Sequence, residues 1–341
     1  MKKRLLAMLL AAAMCTGLAA CSSDTGTATT PEGGETAESG DGSYNIDVIL
    51  KTTASEYWQY VQAGAMAYQK DNPNVTVTVK GAPSETSYQE QLNMIQTDLA
   101  GDYDGFVIAP LQADMVANLI EGQTKPIVAV DTKIEAPEVI SFVGTGNESA
   151  GALGGAAAVE AAKAAGWTDI KAIEIAGVQG DTTNTDRMNG YMKGIEEAGG
   201  DFLEDEVQYA DAVATKAVDA MNGIMSRYPD GIAIICANND DMAIAAAKAA
   251  ADSGNEAYAN TIFLGFDGIQ SACDAILEGR LTMSVAQQGY EMGYMAVEAV
   301  VNNLNGEEVE EFIDSGADVV TADNAQKRKE TLQGYLDALE A

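Results

Sequence analysis

The sequence predicts an α/β protein built from two doubly wound parallel-sheet halves, and two observations carry that prediction. Short apolar, β-branched runs alternate with stretches of helical periodicity, the rhythm of βαβ units whose sheets are covered on both faces. The rhythm breaks near residue 146 and then restarts, leaving two sets of similar size. A single larger sheet is the competing arrangement, because 341 residues do not by themselves fix the domain count.

In the first set, apolar runs at 46–50, 75–79, 106–109 and 127–130 read as strands, with helices near 57–70, 85–99 and 113–121. "EVISFVG" (138–144) adds a strand, and the Ala and Gly spacing of 147–167 suits a helix packed closely on a neighbour. The second set runs "IKAIEIAG" (170–177), a helix near 185–198, a strand near 206–209 and a helix near 214–227. It continues with "GIAIICA" (231–237), an alanine-rich helix, "TIFLGFDG" (261–268), a short helix and "LTMSVAQ" (281–287). A helix over 289–304, a strand-like 317–323 and a C-terminal helix complete the chain.

The first twenty residues belong to neither set. Lys2, Lys3 and Arg4 precede a short apolar stretch that ends at "LAAC" (18–21), the pattern of a signal peptide too short to span a bilayer durably. Cys21 directly after Leu-Ala-Ala looks like a bacterial lipobox, whose thiol is acylated to become the mature N-terminus. Residues 22–43 have no aliphatic side chain larger than alanine and read as a flexible acidic tether. Anchor and tether together imply an extracytoplasmic protein held at the cell membrane.

Composition excludes several functions. With 52 acidic and 19 basic residues the net charge is −33, and removing the leader takes away only bases. Such a chain repels phosphate backbones, so no nucleic-acid partner is expected. Histidine is absent, which removes Ser-His-Asp and Cys-His nucleophiles and His-ligated metals. Gly144-Thr145-Gly146 lacks the third glycine of a dinucleotide fingerprint, and no cofactor is implied. Cys236 and Cys273 read as two separate buried thiols.

Candidate binding residues emerge where strands end, because open α/β sheets hold ligands at the carboxyl ends of their strands. The first strand leads to Lys51, Ser55, Tyr57 and Trp58, and the fourth to Asp131 and Thr132. In the second set, "GVQGDTTNTDR" ends at Arg187, "ANNDD" offers Asn239 and Asp240, "GFDG" offers Phe266 and Asp267, and "SVAQQ" offers Gln287. Each could be a cap, turn former or core residue, and for Tyr57 and Trp58 the helical positions require at most one to be buried. Taken together, ring faces, carboxylates, amides and a guanidinium suit a small polyhydroxylated molecule: rings cover C–H faces while polar groups meet hydroxyls.

At these residues the chain resembles the periplasmic sugar-binding proteins of the ribose-binding type, the binding subunits of ABC importers. The resemblance rests on "SEYWQYVQAGA", "PIVAVDT", "DRMNGY", "ANNDDMAIAAAKA", "FLGFDG" and "SVAQQGYEMG", in order, from about residue 44 to the C-terminus. It implies a type I periplasmic binding protein fold whose two lobes, joined by a three-segment hinge, close on the ligand. The N-terminal lobe would be 44–145 plus 288–316, and the C-terminal lobe 146–287 plus 317–341. It further implies stacking by Tyr57 and Trp58, with Phe266 as a further candidate, and hydroxyl bonding by Asp131, Arg187, Asn239, Asp267 and Gln287, with Asp240 and Asp241 serving the helix start. Lys51, Thr132 and Ala212 depart from the ribose-binding pattern, which leaves a hexose, another pentose, a polyol or a furanosyl signalling molecule open. Lys51 is expected to pair with Asp131 and donate to the ligand. A membrane permease is the implied partner of a monomeric, non-enzymatic receptor; a sensor presenting its closed form to a membrane receptor, or a glycoside-processing enzyme using Asp131 and Asp267, is the alternative.

Overall fold

A computed structural model describes residues 42–340; the leader, Cys21 and nearly all of the tether lie outside the described residues. The first sheet is laid down by β1 (Tyr44–Thr52), α1 (Glu56–Asp71), β2 (Val75–Ala82), α2 (Tyr88–Leu99), β3 (Gly105–Ile108), α3 (Ala113–Leu119), β4 (Ile127–Val130) and β5 (Val139–Gly144). The chain then crosses to a second lobe through α4 (Asn147–Ala164), β6 (Lys171–Ala176), α5 (Thr182–Glu197), β7 (Asp201–Phe202), β8 (Gln208–Tyr209) and α6 (Ala214–Arg227). That lobe is completed by β9 (Ile234–Ala237), α7 (Asp240–Asp252), β10 (Ile262–Asp267), α8 (Gln270–Leu277) and β11 (Met283–Gln287). The chain recrosses into α9 (Gly289–Leu304) and β12 (Phe312–Asp314), and crosses a third time into β13 (Ala317–Val320) and α10 (Ala325–Glu340).

The sheet orders are β12-β5-β4-β3-β1-β2 and β13-β11-β10-β9-β6-β7, one topology used twice. All pairings are parallel except β11 with β13. Parallel sheets covered on both sides need apolar residues facing both ways, and β1 supplies them. Ile46, Val48 and Leu50 pack with α1, while Ile49 joins Phe106, Ile108 and Ile127 on the opposite face. In the second lobe Ile173 and Ile175 face one layer, and Ala172 faces the other.

Helix packing is equally duplicated. A side-chain carbon placed on Gly64 of α1 would overlap the Tyr290 carbonyl of α9, and one on Gly194 of α5 would overlap the Ala152 carbonyl of α4. Each lobe thus draws two helices together until their backbones touch. The small-residue segment 147–167 forms the close-packed α4 that its composition suggests.

Two elements were hidden in the sequence. β12 is an acidic stretch, "FID" behind Glu310 and Glu311, and carries little strand signal. β7 and β8 are two residues each, where one longer strand near 206–209 was expected. α10 packs on α8 and also on α1, and so touches both lobes. Cys236 and Cys273 are free and buried.

Candidate functional site

The carboxyl ends of both sheets face one another across a cavity lined from both lobes. Lys51, Ser55, Tyr57, Trp58 and Asp131 line it on the first side, with Arg187, Asn239 and Asp267 on the second. β4 and β10 hold the same position in their sheets, and an aspartate with a left-handed backbone stands at the carboxyl end of each, Asp131 just past β4 at φ 64° and Asp267 as the last residue of β10 at φ 116°. Non-glycine residues hold such conformations at a cost, and such strain gathers at functional sites.

On the first lobe, the Tyr57 hydroxyl donates to Asp131 Oδ1 (3.1 Å) and Thr132 Oγ1 donates to Asp131 Oδ2 (3.0 Å). Lys51 Nζ lies 3.7 Å from Asp131 Oδ2 and 3.3 Å from Asp181 Oδ2. Burial alone would lower the Lys51 pKa, but the Asp181 and Asp131 carboxylates outweigh it and raise it above its ordinary value. Burial also works against an ionised Asp181, yet Lys51 and the Asn184 N–H hold its pKa below the usual carboxylate range. Trp58 Nε1 donates to Glu85 Oε1 at 2.9 Å.

On the second lobe, Arg187 reaches in from α5. Its Nε donates to Asn147 Oδ1 and its Nη1 to the Asn238 carbonyl, both at 2.8 Å, and Nη1 lies 3.7 Å from Asp267 Oδ1. Gln287 Nε2 donates to Asp267 Oδ1 at 2.7 Å. Burial pushes the Asp267 carboxyl well above its ordinary pKa, with Arg187 opposing. A carboxylate with one oxygen engaged and a guanidinium beside it offers an acceptor and a donor side by side, the pairing a hydroxyl needs.

Several residues sit differently from expectation. Phe266 does not reach the cavity: it is fully buried, and the Arg187 guanidinium lies 3.8 Å from its ring centroid. Strand alternation explains this, since Phe266 points into the layer beneath α4 and α5 while its neighbour ends the strand. It is a platform for the cation. Gln287 lies behind Asp267, and Thr132 turns to Thr183 Oγ1 of the other lobe at 2.9 Å; neither lines the cavity. Tyr57 and Trp58 are both buried, at 6% and 2% exposure, in an edge-on pair at 5.1 Å, because the first turn of α1 is enclosed on more than one side.

The Asn/Asp cluster resolves unequally. Asn239 is the N-cap of α7, its Oδ1 accepting from Met242 N at 2.9 Å, and it also lines the cavity. Asp240, expected to serve the helix start, instead reaches the next strand's loop, accepting from Ile269 N at 3.0 Å. Asn238, Asp181 and Glu85 also line the cavity and were missed. A lysine at a strand end demanded a counter-charge, and that was the available signal for Asp181.

Residues 46–308 match the periplasmic binding protein domain. The D-allose-binding periplasmic protein of Escherichia coli K12 is 29% identical over 265 residues, covering 75% of this chain and 83% of its own length. The ribose import binding protein of Salmonella typhimurium is 26% identical over 268 residues, with 78% and 86% covered. A carbohydrate transporter solute-binding protein from Agrobacterium radiobacter, solved with D-arabinose, superposes with a TM-score of 0.78 at 26% identity, covering 85% of this chain and 98% of its own. In fold and in sequence over most of its length, this chain belongs to the periplasmic binding protein family.

Proposed function

We propose that this chain captures a monosaccharide or similar small polyol in the interlobe cleft and delivers it to a membrane permease as the substrate-binding lipoprotein of an ABC importer. The observation that carries the reading is the facing pair Asp131 and Asp267, each fixed by a strained backbone and by hydrogen-bonded neighbours. Polar groups held in place before the ligand arrives spare it part of the ordering cost of binding. Arg187, Asn239 and Lys51 add donors around them, and Tyr57 and Trp58 close the first-lobe wall. Relatives named for D-allose and ribose, and a solved neighbour in complex with D-arabinose, support a sugar as the solute. Hinge closure follows because a ligand touching both lobes favours the form in which both can touch it. The leader, Cys21 and the tether support an anchor at the extracytoplasmic face of the membrane.

Calorimetry on the soluble domain with D-allose, D-ribose, D-arabinose, D-fucose and glycerol tests the reading. One or more should bind at a single site, be recovered unchanged, and raise the melting temperature with concentration. Flat titrations with every one of them would refute it.

A further inference from the structure

Lys51 is placed as a bridge between lobes as well as a donor in the cleft. It is the penultimate residue of β1 in the first lobe, yet Asp181, its nearer carboxylate at 3.3 Å, belongs to the second. The pair is secluded, with side-chain exposures of 9% and 11%. Its position matters more than its length. The three crossovers leave from β5, β11 and the β12–β13 turn, at one edge of each sheet. β1 and β6 lie three strands away from β5 and β11, roughly 14 Å at ordinary strand spacing. Rotation about the crossovers therefore parts Lys51 and Asp181 more than it parts groups near the hinge.

Each member is held from behind. Asp181 is the N-cap of α5, its Oδ1 accepting from Asn184 N at 2.8 Å, which leaves Oδ2 for the lysine. Lys51 is kept in place by Asp131. Next to them, the Thr183 hydroxyl lies 2.9 Å from Thr132 Oγ1 and 3.4 Å from the Asp131 carbonyl, two acceptors that share its one proton.

We propose that Asp181 is a positioning residue: it clamps the Lys51 ammonium between the two lobes, so that the closed form is populated before any ligand arrives. The proposal rests on the cleft being the binding site but not on the identity of the solute. Affinity then contains a part set by how often the empty cleft is already shut.

The test uses spin labels at T86C and T215C, two exposed positions on opposite lobes, in protein freed of small molecules by unfolding and refolding. Ligand-free wild type should show a short-distance population. Asp181→Asn keeps a good helix cap and removes the charge, so it should lower the closed-to-open ratio by about tenfold. Asp181→Glu should recover much of it. A wild type wholly open without ligand, an unchanged distribution in Asp181→Asn, or no recovery in Asp181→Glu would overturn the clamp. Calorimetry with D-allose and D-ribose reads separately: no binding alongside a persistent Asp181→Asn shift removes the sugar and keeps the clamp.

Discussion

The two lobes share a strand order and a pair of glycine-apposed helices, and they differ in what lies beneath the cleft. The first lobe sets its polar groups on an aromatic and aliphatic base: Tyr57 supports Asp131 and is itself packed against Met292 of α9. Away from the cleft this lobe also buries a carboxylate, Asp47, which forms an ion pair with Lys80 at 3.3 Å while neither oxygen accepts a hydrogen bond. The second lobe carries buried acids directly under its binding face. Glu174 of β6 is fully buried, receives only the Asn238 amide at 3.3 Å, and leaves Oε2 without a partner. Asp240 is equally buried and leaves Oδ1 unpartnered. Duplicated scaffolds can thus carry a cleft by different means, one by packing and one by a polar lattice that fixes Asn238, Arg187 and Asp267 in relation to one another. The lattice buys that rigidity at the cost of burying groups that resist ionisation.

The sharpest way to break this comparison is to remove one aspartate at a time. Asp267→Asn and Asp131→Asn should each weaken sugar binding by about a hundredfold, on the order of 3 kcal/mol for losing a charged hydrogen-bonding partner. Calorimetry reads the loss. A large effect on one side alone would mean that the grip is one-sided.

Next in size are the helix appositions. Gly64→Ala and Gly194→Ala each force a carbon into a facing carbonyl and should lower stability by about 3 kcal/mol in urea unfolding. Similar costs would show that the lobes are equivalent in packing, leaving the difference to the polar layer.

That layer has a pH signature. Burial raises the Glu174 pKa from 4.5 to about 8, opposed by the Asn238 amide and by Arg187. Below 4.5 both folded and unfolded forms hold the proton. Between 4.5 and about 8 only the folded form does, so stability falls as pH rises through that window and levels beyond it. Glu174→Gln should remove this component, making the variant more stable than wild type at pH 6.5 by about 2 kcal/mol relative to the same comparison at pH 4.5. Melting curves across the window check the slope. The smallest effect is Asn239→Ala, which removes the α7 cap and should cost about 1 kcal/mol of stability.

Legibility in the sequence followed the same division. Strands of the shared scaffold stood out because both faces are buried and their runs are continuously apolar, as in 106–109 and 231–237. β12 did not, since it lies at a sheet edge where charge is tolerated. Asp131, Arg187 and Asp267 were readable as strand-end or early-helix polar groups. Phe266 and Gln287 were placed one layer too near the ligand, because a sequence gives the end of a strand without showing which residue faces the cleft and which supports the one that does. Asp181 and Glu85 were missed for a related reason: each answers a group distant in sequence, Lys51 and Trp58, and only the folded chain brings them together.

The three passages between lobes bear on how such a chain is made. The first sheet forms from residues 44–144 but receives its α9 cover and its β12 edge only after another lobe's worth of polypeptide has followed. Pairings of that sequence separation are slow to form, so during synthesis the leading half waits with the part of one face not covered by α1 bare. A waiting half is exposed to mispairing and aggregation, but it is also easier to thread through a narrow channel than a finished lobe.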